Sequence, residues 1–358
     1  MRAIIATPGT PGSARLEEIL EPDPGAGQVR LETLYLGIDG TDREIDAGAY
    51  GAPPDGSSYL VLGHEAVCRV DGIGEGADGL ARGDLVVPVV RRPCPENCLN
   101  CRAGEADRCI TGHYREHGIF KLHGFASEYA LSDAQYVVKI PPDLLDVAVL
   151  LEPLSIAENA LSSIGTIQKR MAWEPSSAFV IGAGPLGLLA AFLLGERGYE
   201  VSVAATRDAE SPKARLVREM GGTYYTVREH PLNSLGPQAD LVIEASGNVG
   251  AAIDSLSLVR PNGIVCLLGI YPQHQACQEF GALLTSMVLN NHVLVGSVSS
   301  NRSYFERGVL DLQALKRRYG TLPDRLITSA LDPEQFRDAF DPGGDEIKAV
   351  IRFGTKRG

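Results

Sequence analysis

The 358-residue chain predicts an α/β fold in two parts. A mainly β domain is formed by both ends of the chain, and a doubly wound parallel-sheet nucleotide domain is inserted between them. Three observations predict this. The length exceeds what one ordinary core accommodates. The first 150 or so residues are rich in Gly, Pro and short apolar runs separated by turn signals. Beyond Pro153, strand-like and helix-like segments alternate, the rhythm of a parallel sheet with right-handed crossovers.

In the first part, Gln28 to Leu36, Val61 to Val70, Asp84 to Val90 and Tyr136 to Ile140 read as strands, with Pro24-Gly25 and Asp71-Gly72 as turns. This is an antiparallel set, expected to form a partly closed barrel. Leu154 to Lys169 then has helical spacing. Ala178 to Ile181 is a short apolar strand, Leu186 to Gly195 a helix that is apolar nearly all round, and Glu200 to Ala205 a second strand. Leu241 to Ala245, Gly263 to Leu268 and Val293 to Val298 are later strands. From about Asn301 the pattern is mixed, and Asp345 to Phe353 alternates like a closing strand. The expected boundaries are 1–158 with 299–358 for the β domain and 159–298 for the nucleotide domain.

The formal charge of -12 leaves no basic surplus to neutralise phosphates, so a general nucleic-acid partner is not expected. The start, Met1-Arg2-Ala3-Ile4-Ile5, lacks a signal-peptide layout. The most apolar stretch, Ala178 to Leu194, is broken by Gly182, Gly184, Pro185 and Gly187, so no membrane span is expected. Seven cysteines, an odd number with four clustered, fit a reduced cytoplasm rather than a disulfide framework, and Cys68, Cys266 and Cys277 are scattered.

The loop Gly182-Ala183-Gly184-Pro185-Leu186-Gly187 lies between a strand and a helix, with a second strand at βαβ distance. Gly182 permits the tight turn, Gly184 lets the backbone approach a pyrophosphate at the helix N-terminus, and Gly187 lets helix and sheet pack closely. The second strand ends at Ala204-Ala205-Thr206-Arg207, without the acid that would accept from a ribose 2′-hydroxyl. Arg207, assisted by Lys213 and Ser211, suits a 2′-phosphate instead. NADP is therefore expected, with NAD tolerated. The expected cofactor contacts are Gly182, Gly184, Pro185, Leu186, Gly187, Thr206, Arg207, Ser246, Gly269 and Ser297.

Cys94, Cys98, Cys101 and Cys109 read C-x3-C-x2-C-x7-C. Four thiolates at this spacing close a tetrahedral shell around zinc and leave no open position, which makes a structural site. The first gap, Pro95-Glu96-Asn97, is one residue longer than usual. Before it stands Gly63-His64-Glu65. Further upstream Gly37-Ile38-Asp39-Gly40-Thr41-Asp42 offers a carboxylate with a hydroxyl two residues on, and downstream Leu151-Glu152-Pro153 offers another carboxylate. Two carboxylates and one imidazole make a plausible open zinc site, where the metal lowers the pKa of a bound hydroxyl. Metal triplet, thiolate lobe and nucleotide loop, in that order, suggest a zinc-dependent dehydrogenase.

On these strings, and on Val61-Leu62-Gly63-His64-Glu65-Ala66, Val87-Pro88-Val89-Val90-Arg91-Arg92, Phe120-Lys121-Leu122-His123-Gly124-Phe125, Pro175-Ser176-Ser177-Ala178-Phe179-Val180 and Val295-Gly296-Ser297-Val298, the chain resembles the zinc-dependent medium-chain dehydrogenases. Within them it is similar to the archaeal type of glucose 1-dehydrogenase, over essentially its whole length. The resemblance implies a GroES-like catalytic domain and a Rossmann nucleotide domain. It implies Asp39, His64 and Glu152 as zinc ligands, with Glu65 beside the metal, able to replace or orient the bound water. Most of the family has cysteine where Asp39 stands. Thr41 would hydrogen-bond the reacting hydroxyl, while Arg43 and Glu44 offer no relay histidine for the end of the proton path. Glu116 would hold sugar hydroxyls, and Ser299 stands where sugar-binding members carry Asn; some members also have Asn at Val90. The implied reaction takes hydride from the C1 hydroxyl of a glucose-like aldose to NAD(P) and yields the lactone. A polyol, cyclitol or secondary alcohol is the alternative substrate. A homodimer or homotetramer is implied.

Overall fold

The computed structural model describes residues 1–271, 280–341 and 343–354, so Cys277 lies outside the described residues. The chain divides into two compact units. Met1–Ser155, Ser299–Leu312 and Asp324–Gly358 form the first, and Ile156–Val298 with Gln313–Pro323 forms the second.

The first unit is built on strand β1, Gln28–Ile38, where Val29, Leu31 and Thr33 are buried while Arg30 and Glu32 stay half-exposed. That alternation is what a strand with one wet face requires. At its C-terminal end the alternation stops and Leu36, Gly37 and Ile38 are all buried. There β1 lies between strand β2, Glu65–Ile73, and the closing strand, Lys348–Arg352, both antiparallel to it. The sheet runs in the order Val137–Lys139, Leu85–Pro88, β2, β1, Lys348–Arg352, Ile327–Leu331, and Tyr129–Asp133 pairs with the first half of β1.

The expected strand Val61 to Val70 is two strands. Leu60–Val61 pairs with Arg2–Ala6 in a separate sheet, and β2 begins only at Glu65. The chain breaks at Gly63, whose φ of 82° favours glycine and whose added Cβ would lie 2.6 Å from the Leu36 side chain. This turn puts His64 at a corner instead of within a ladder. A third small sheet, Arg91–Arg92 with Arg115–His117 and Lys121–Leu122, brackets the cysteine lobe.

The second unit holds six parallel strands in the order Thr223–Thr226, Glu200–Ala205, Ser177–Ile181, Ala239–Glu244, Val259–Leu267, Val293–Gly296. Numbered along the chain this is 3-2-1-4-5-6, the doubly wound dinucleotide order with its switch point beside the first strand. Phe179, Ile181, Val242 and Val265 pack one of its core clusters. Helix Pro185–Glu196 is buried from Gly187 through Gly195, which explains its all-round apolarity. Among the described residues no helix is long and apolar enough to cross a membrane.

Two further elements depart from expectation. Thr223–Thr226 is a four-residue, half-exposed edge strand, too short to show periodicity. The tail read as mixed contains an 18-residue helix, Arg302–Tyr319. Asn301 Oδ1 accepts from the Ser303 N–H at its start (3.0 Å), and Phe305, Leu312 and Leu315 are its buried stripe.

Candidate metal centre and cofactor groove

Where β1 ends, Asp39 caps the short helix Gly40–Asp46. The capping box is reciprocal: Asp39 Oδ1 accepts from the Asp42 N–H at 3.1 Å, and Asp42 Oδ2 accepts from the Asp39 N–H at 3.2 Å. The other oxygen of Asp42 accepts from the Gly63 N–H at 3.1 Å. One buried carboxylate thus ties the turn bearing Asp39 to the corner bearing His64. Thr41 Oγ1 donates to Asp39 Oδ2 at 3.2 Å.

His64 Nε2 lies 3.4 Å from Asp39 Oδ2. Two ligands held at the usual zinc distances of about 2.0–2.1 Å in a tetrahedron stand about 3.3–3.4 Å apart, so this gap is metal-sized. One ligand atom each from Asp39, His64 and Glu65 lies within 4.8 Å of the others. Glu152, buried at the start of helix Leu151–Gln168, lies outside that cluster but within charge range of it. Burial pushes Glu152 up to about 8, and Glu65 and Asp39 add to the rise. Burial likewise pushes Asp42 up to about 7, despite the nearby His64. For Asp39, burial is outweighed by the His64 and Lys348 charges, which hold its carboxyl well below the usual range. His64 is raised well above its ordinary value because Asp39 outweighs desolvation. Asp39, Asp42, Glu65 and Glu152 thus gather four acids around one imidazole, a setting that suits a divalent cation.

Three partnerships of the first unit were not foreseen. Asp42 is one, and its signal was the acid three residues after Asp39. Lys348 is another: its Nζ donates to Glu65 Oε2 at 2.5 Å. Its signal was a lysine inside the apolar run of the closing strand, which needs a buried anion. The third concerns Glu116, which is buried and paired through Oε1 with Arg91 Nε at 2.9 Å. Arg91 also donates to the Asp107 carbonyl and stacks 3.8 Å over Tyr114. Tyr50 is raised by burial and by the Glu116 charge, so it stands near this pair.

Ser299 holds a left-handed backbone, φ 58°. After it Ser300 is buried against Ser155, their hydroxyls 2.6 Å apart, and Asn301 Nδ2 donates to Asp107 Oδ1 at 2.8 Å. The strained residue is therefore fixed from its C-terminal side.

In the lobe, Cys98 Sγ and Cys109 Sγ are 4.0 Å apart, against about 3.8 Å for two thiolates on one tetrahedral zinc. The Cys94 and Cys98 N–H groups donate to Cys101 Sγ and Cys94 Sγ. Backbone donors draw Cys98 down to about 6, whereas burial pushes Cys101 up to about 12. The extra residue in the first gap is absorbed at Asn97, left-handed at φ 47°, whose N–H donates to the Cys94 carbonyl.

In the second unit a groove of about 700 Å³ opens at the carboxyl ends of the strands. Gly182, Gly184, Thr206, Arg207, Lys213 and Ser246 line it, while Pro185, Leu186, Gly187, Gly269 and Ser297 are outside its lining. A Cβ on Gly184 would meet no protein atom, leaving its helix N-terminus open to a ligand. A Cβ on Gly187 would collide with the Gly182 carbonyl oxygen. Ser211 caps helix Pro212–Glu219 through the Ala214 N–H, so its hydroxyl has a structural task. Asp254 also lines the groove, an acid that the strand-end argument overlooked. Glu244, fully buried, accepts from the Ser246 N–H at 2.8 Å and fixes that loop.

The family described as Glucose dehydrogenase C-terminus matches residues 145–353, and that described as Alcohol dehydrogenase GroES-like domain matches residues 25–142. Glucose 1-dehydrogenase 1 of Caldivirga maquilingensis is 44% identical over 354 residues, 99% of each chain. Glucose 1-dehydrogenase of Thermoproteus tenax is 44% identical over 356 residues, 99% of this chain and 100% of that one. The glucose dehydrogenase of Haloferax mediterranei, solved in complex with NADP, Zn and gluconolactone, superposes with a TM-score of 0.91 at 36% identity, covering 99% of this chain and 100% of the other. The chain belongs to the zinc-dependent medium-chain dehydrogenase family, in its archaeal-type glucose 1-dehydrogenase subgroup.

Proposed function

We propose that the protein is a zinc-dependent sugar dehydrogenase that oxidises the C1 hydroxyl of a glucose-like aldose to the aldonolactone, with NADP as the preferred acceptor and NAD tolerated. The observation that carries this reading is the metal-sized gap between Asp39 Oδ2 and His64 Nε2, with a Glu65 oxygen in the same cluster. Asp39, His64 and Glu152 would hold a catalytic zinc, with Glu65 beside it, and the four cysteines a structural one. The catalytic zinc, when bound, lowers the pKa of the substrate hydroxyl.

This chain's own residues do the rest. Asp39 accepts from the Thr41 hydroxyl and so orients its oxygen to accept a hydrogen bond from the C1 hydroxyl, the beginning of the proton path. Glu116, held by Arg91, offers a fixed carboxylate to sugar hydroxyls, and Ser299 lines the sugar. Gly182, Gly184 and Ser246 cradle the pyrophosphate and ribose, and Arg207 with Lys213 faces the 2′-phosphate. The Haloferax relative's complex with NADP, Zn and gluconolactone supports the same assignment of cofactor and product.

A homodimer or homotetramer fits the exposed apolar residues Leu284, Val288, Leu289 and Leu294, on and beside the edge strand Val293–Gly296. The absence of a basic surplus and the free cysteines fit a cytoplasmic enzyme of small molecules. The test is NADP reduction by the pure protein with a panel of aldoses, polyols and cyclitols. Turnover of aldoses to lactone supports the reading. Turnover confined to polyols or cyclitols replaces it with the alternative substrate class.

A further inference from the structure

The Glu65 carboxylate has its partner on the far side of the central strand. In the sheet register Glu65 on β2 faces Gly37 on β1, and Gly37 faces Val350 on the closing strand. Lys348, two residues before Val350, is 1% exposed. Its Nζ donates to Glu65 Oε2 at 2.5 Å and to the Ile38 carbonyl at 3.3 Å. The ion pair therefore reaches across β1, and it does so because position 37 carries no side chain. A Cβ on Gly37 would collide with Glu65 Oε2 and lie 3.1 Å from Glu65 Cβ.

Two things follow. A lysine among the buried residues Ile347, Ala349, Val350 and Ile351 is costly unless paired, so the contact is built in and not incidental. Lys348 is also a fixed cation among the four carboxyl groups gathered here, Asp39, Asp42, Glu65 and Glu152, and its charge is felt at Asp39 and Glu152. Released from Lys348, Glu65 would have the metal as its nearest cation, since its carboxylate stands within 4.8 Å of the Asp39 and His64 ligand atoms.

We infer that Lys348 is a positioning residue for the metal centre: by engaging one Glu65 oxygen over Gly37, it keeps that carboxylate beside the metal and leaves the position that water or substrate must occupy open. The inference rests on the reading of Asp39, His64 and Glu152 as metal ligands.

The experiment exchanges cobalt(II) for zinc in the wild type, Lys348→Met, Lys348→Arg and Gly37→Ala, and titrates each with imidazole, which takes an open metal position. Gly37→Ala breaks the same pair from the other end with every charge in place, and it carries the test if Lys348→Met fails to fold. In Lys348→Met and Gly37→Ala the visible cobalt bands should change relative to the wild type, because a carboxylate in place of water alters the ligand field. Imidazole binding should weaken at least about tenfold, and kcat should fall at least about tenfold with KM changed by less than about threefold. Lys348→Arg should restore both. Unchanged cobalt spectra and imidazole affinity in Lys348→Met and Gly37→Ala overturn the inference, and so does Lys348→Arg behaving like Lys348→Met. A wild type that takes up cobalt only in the cysteine lobe overturns the metal reading itself.

Discussion

Arg207→Ala should separate the two nicotinamide cofactors. Arg207 follows strand Glu200–Ala205, and its carbonyl accepts from the Tyr224 hydroxyl at 2.9 Å and from Thr226 Oγ1 at 3.2 Å. The backbone there is anchored, so truncating the side chain should not move the loop. A hydrogen bond to a charged group contributes about 1.5–3 kcal/mol. Arg207 is exposed and Lys213 lines the same groove, so the lower half of that range applies. A loss of about 1.5–2 kcal/mol corresponds to NADP binding about 10- to 30-fold weaker. NAD, which lacks the 2′-phosphate, should change by less than about twofold. Raising the salt should shrink the wild-type advantage for NADP, since an exposed charge pair is screened over about 10 Å at 0.1 M. Fluorescence titration of both reduced cofactors against both proteins at low and high salt, without substrate, measures all eight constants. Equal losses for both cofactors, or no loss for NADP, would refute the role of Arg207.

Elemental analysis should find two zinc ions per chain; His64→Ala should lose one while keeping its melting temperature, whereas Cys101→Ser should lower stability more than turnover. Thr41→Val, which keeps the shape and removes the hydroxyl, should reduce kcat by roughly 10²-fold or more, as for lost acid–base assistance; near-normal turnover would remove Thr41 from the proton path. Acid should destabilise the protein through His117, whose pKa burial and the adjacent Arg92 hold well below the usual value. His117 Nε2 stands 3.1 Å from Arg92 Nη2 and accepts from it, so the folded protein resists a proton that the unfolded chain binds near pH 6.5. Unfolding free energy should therefore fall as pH drops below that value, by up to about 1.4 kcal/mol per unit from this group. Denaturant titrations between pH 7 and 5 check this, and a slope as steep in His117→Gln as in the wild type would rule it out. Ser299→Asn should fold at least as well as the wild type, because Asn tolerates the left-handed backbone found there, and should shift preference between aldoses differing at one hydroxyl.

Much of the nucleotide unit was legible because its signals are local. Strand Glu200–Ala205 and helix Pro185–Glu196 follow from apolar runs bounded by glycines, and their parallel pairing follows from the alternation itself. The clustering of the four cysteines was equally legible, since all four lie in one short stretch of chain. Thr223–Thr226 was not legible, because four residues that pass from exposed to buried carry no period. Nor was the break at Gly63, where two strands of different sheets run together without a polar turn. At the candidate metal centre Asp39, His64 and Glu152 stood out only as residue types in suggestive strings.

The sequence by itself determined the two-part α/β organisation, the thiolate lobe, the glycine loop and the missing acid at the end of the second strand, because each depends on residues near one another in the chain. Only the tertiary structure decided which distant groups share a pocket. Asp42 joins the Asp39 turn to Gly63, Arg91 holds Glu116, and Lys348 reaches Glu65 over Gly37 from a strand 283 positions away in sequence. These pairings depend on sheet register, on which turns bring strand ends together, and on a glycine leaving room where two buried charges must meet; none of these is a property of any short stretch of the chain.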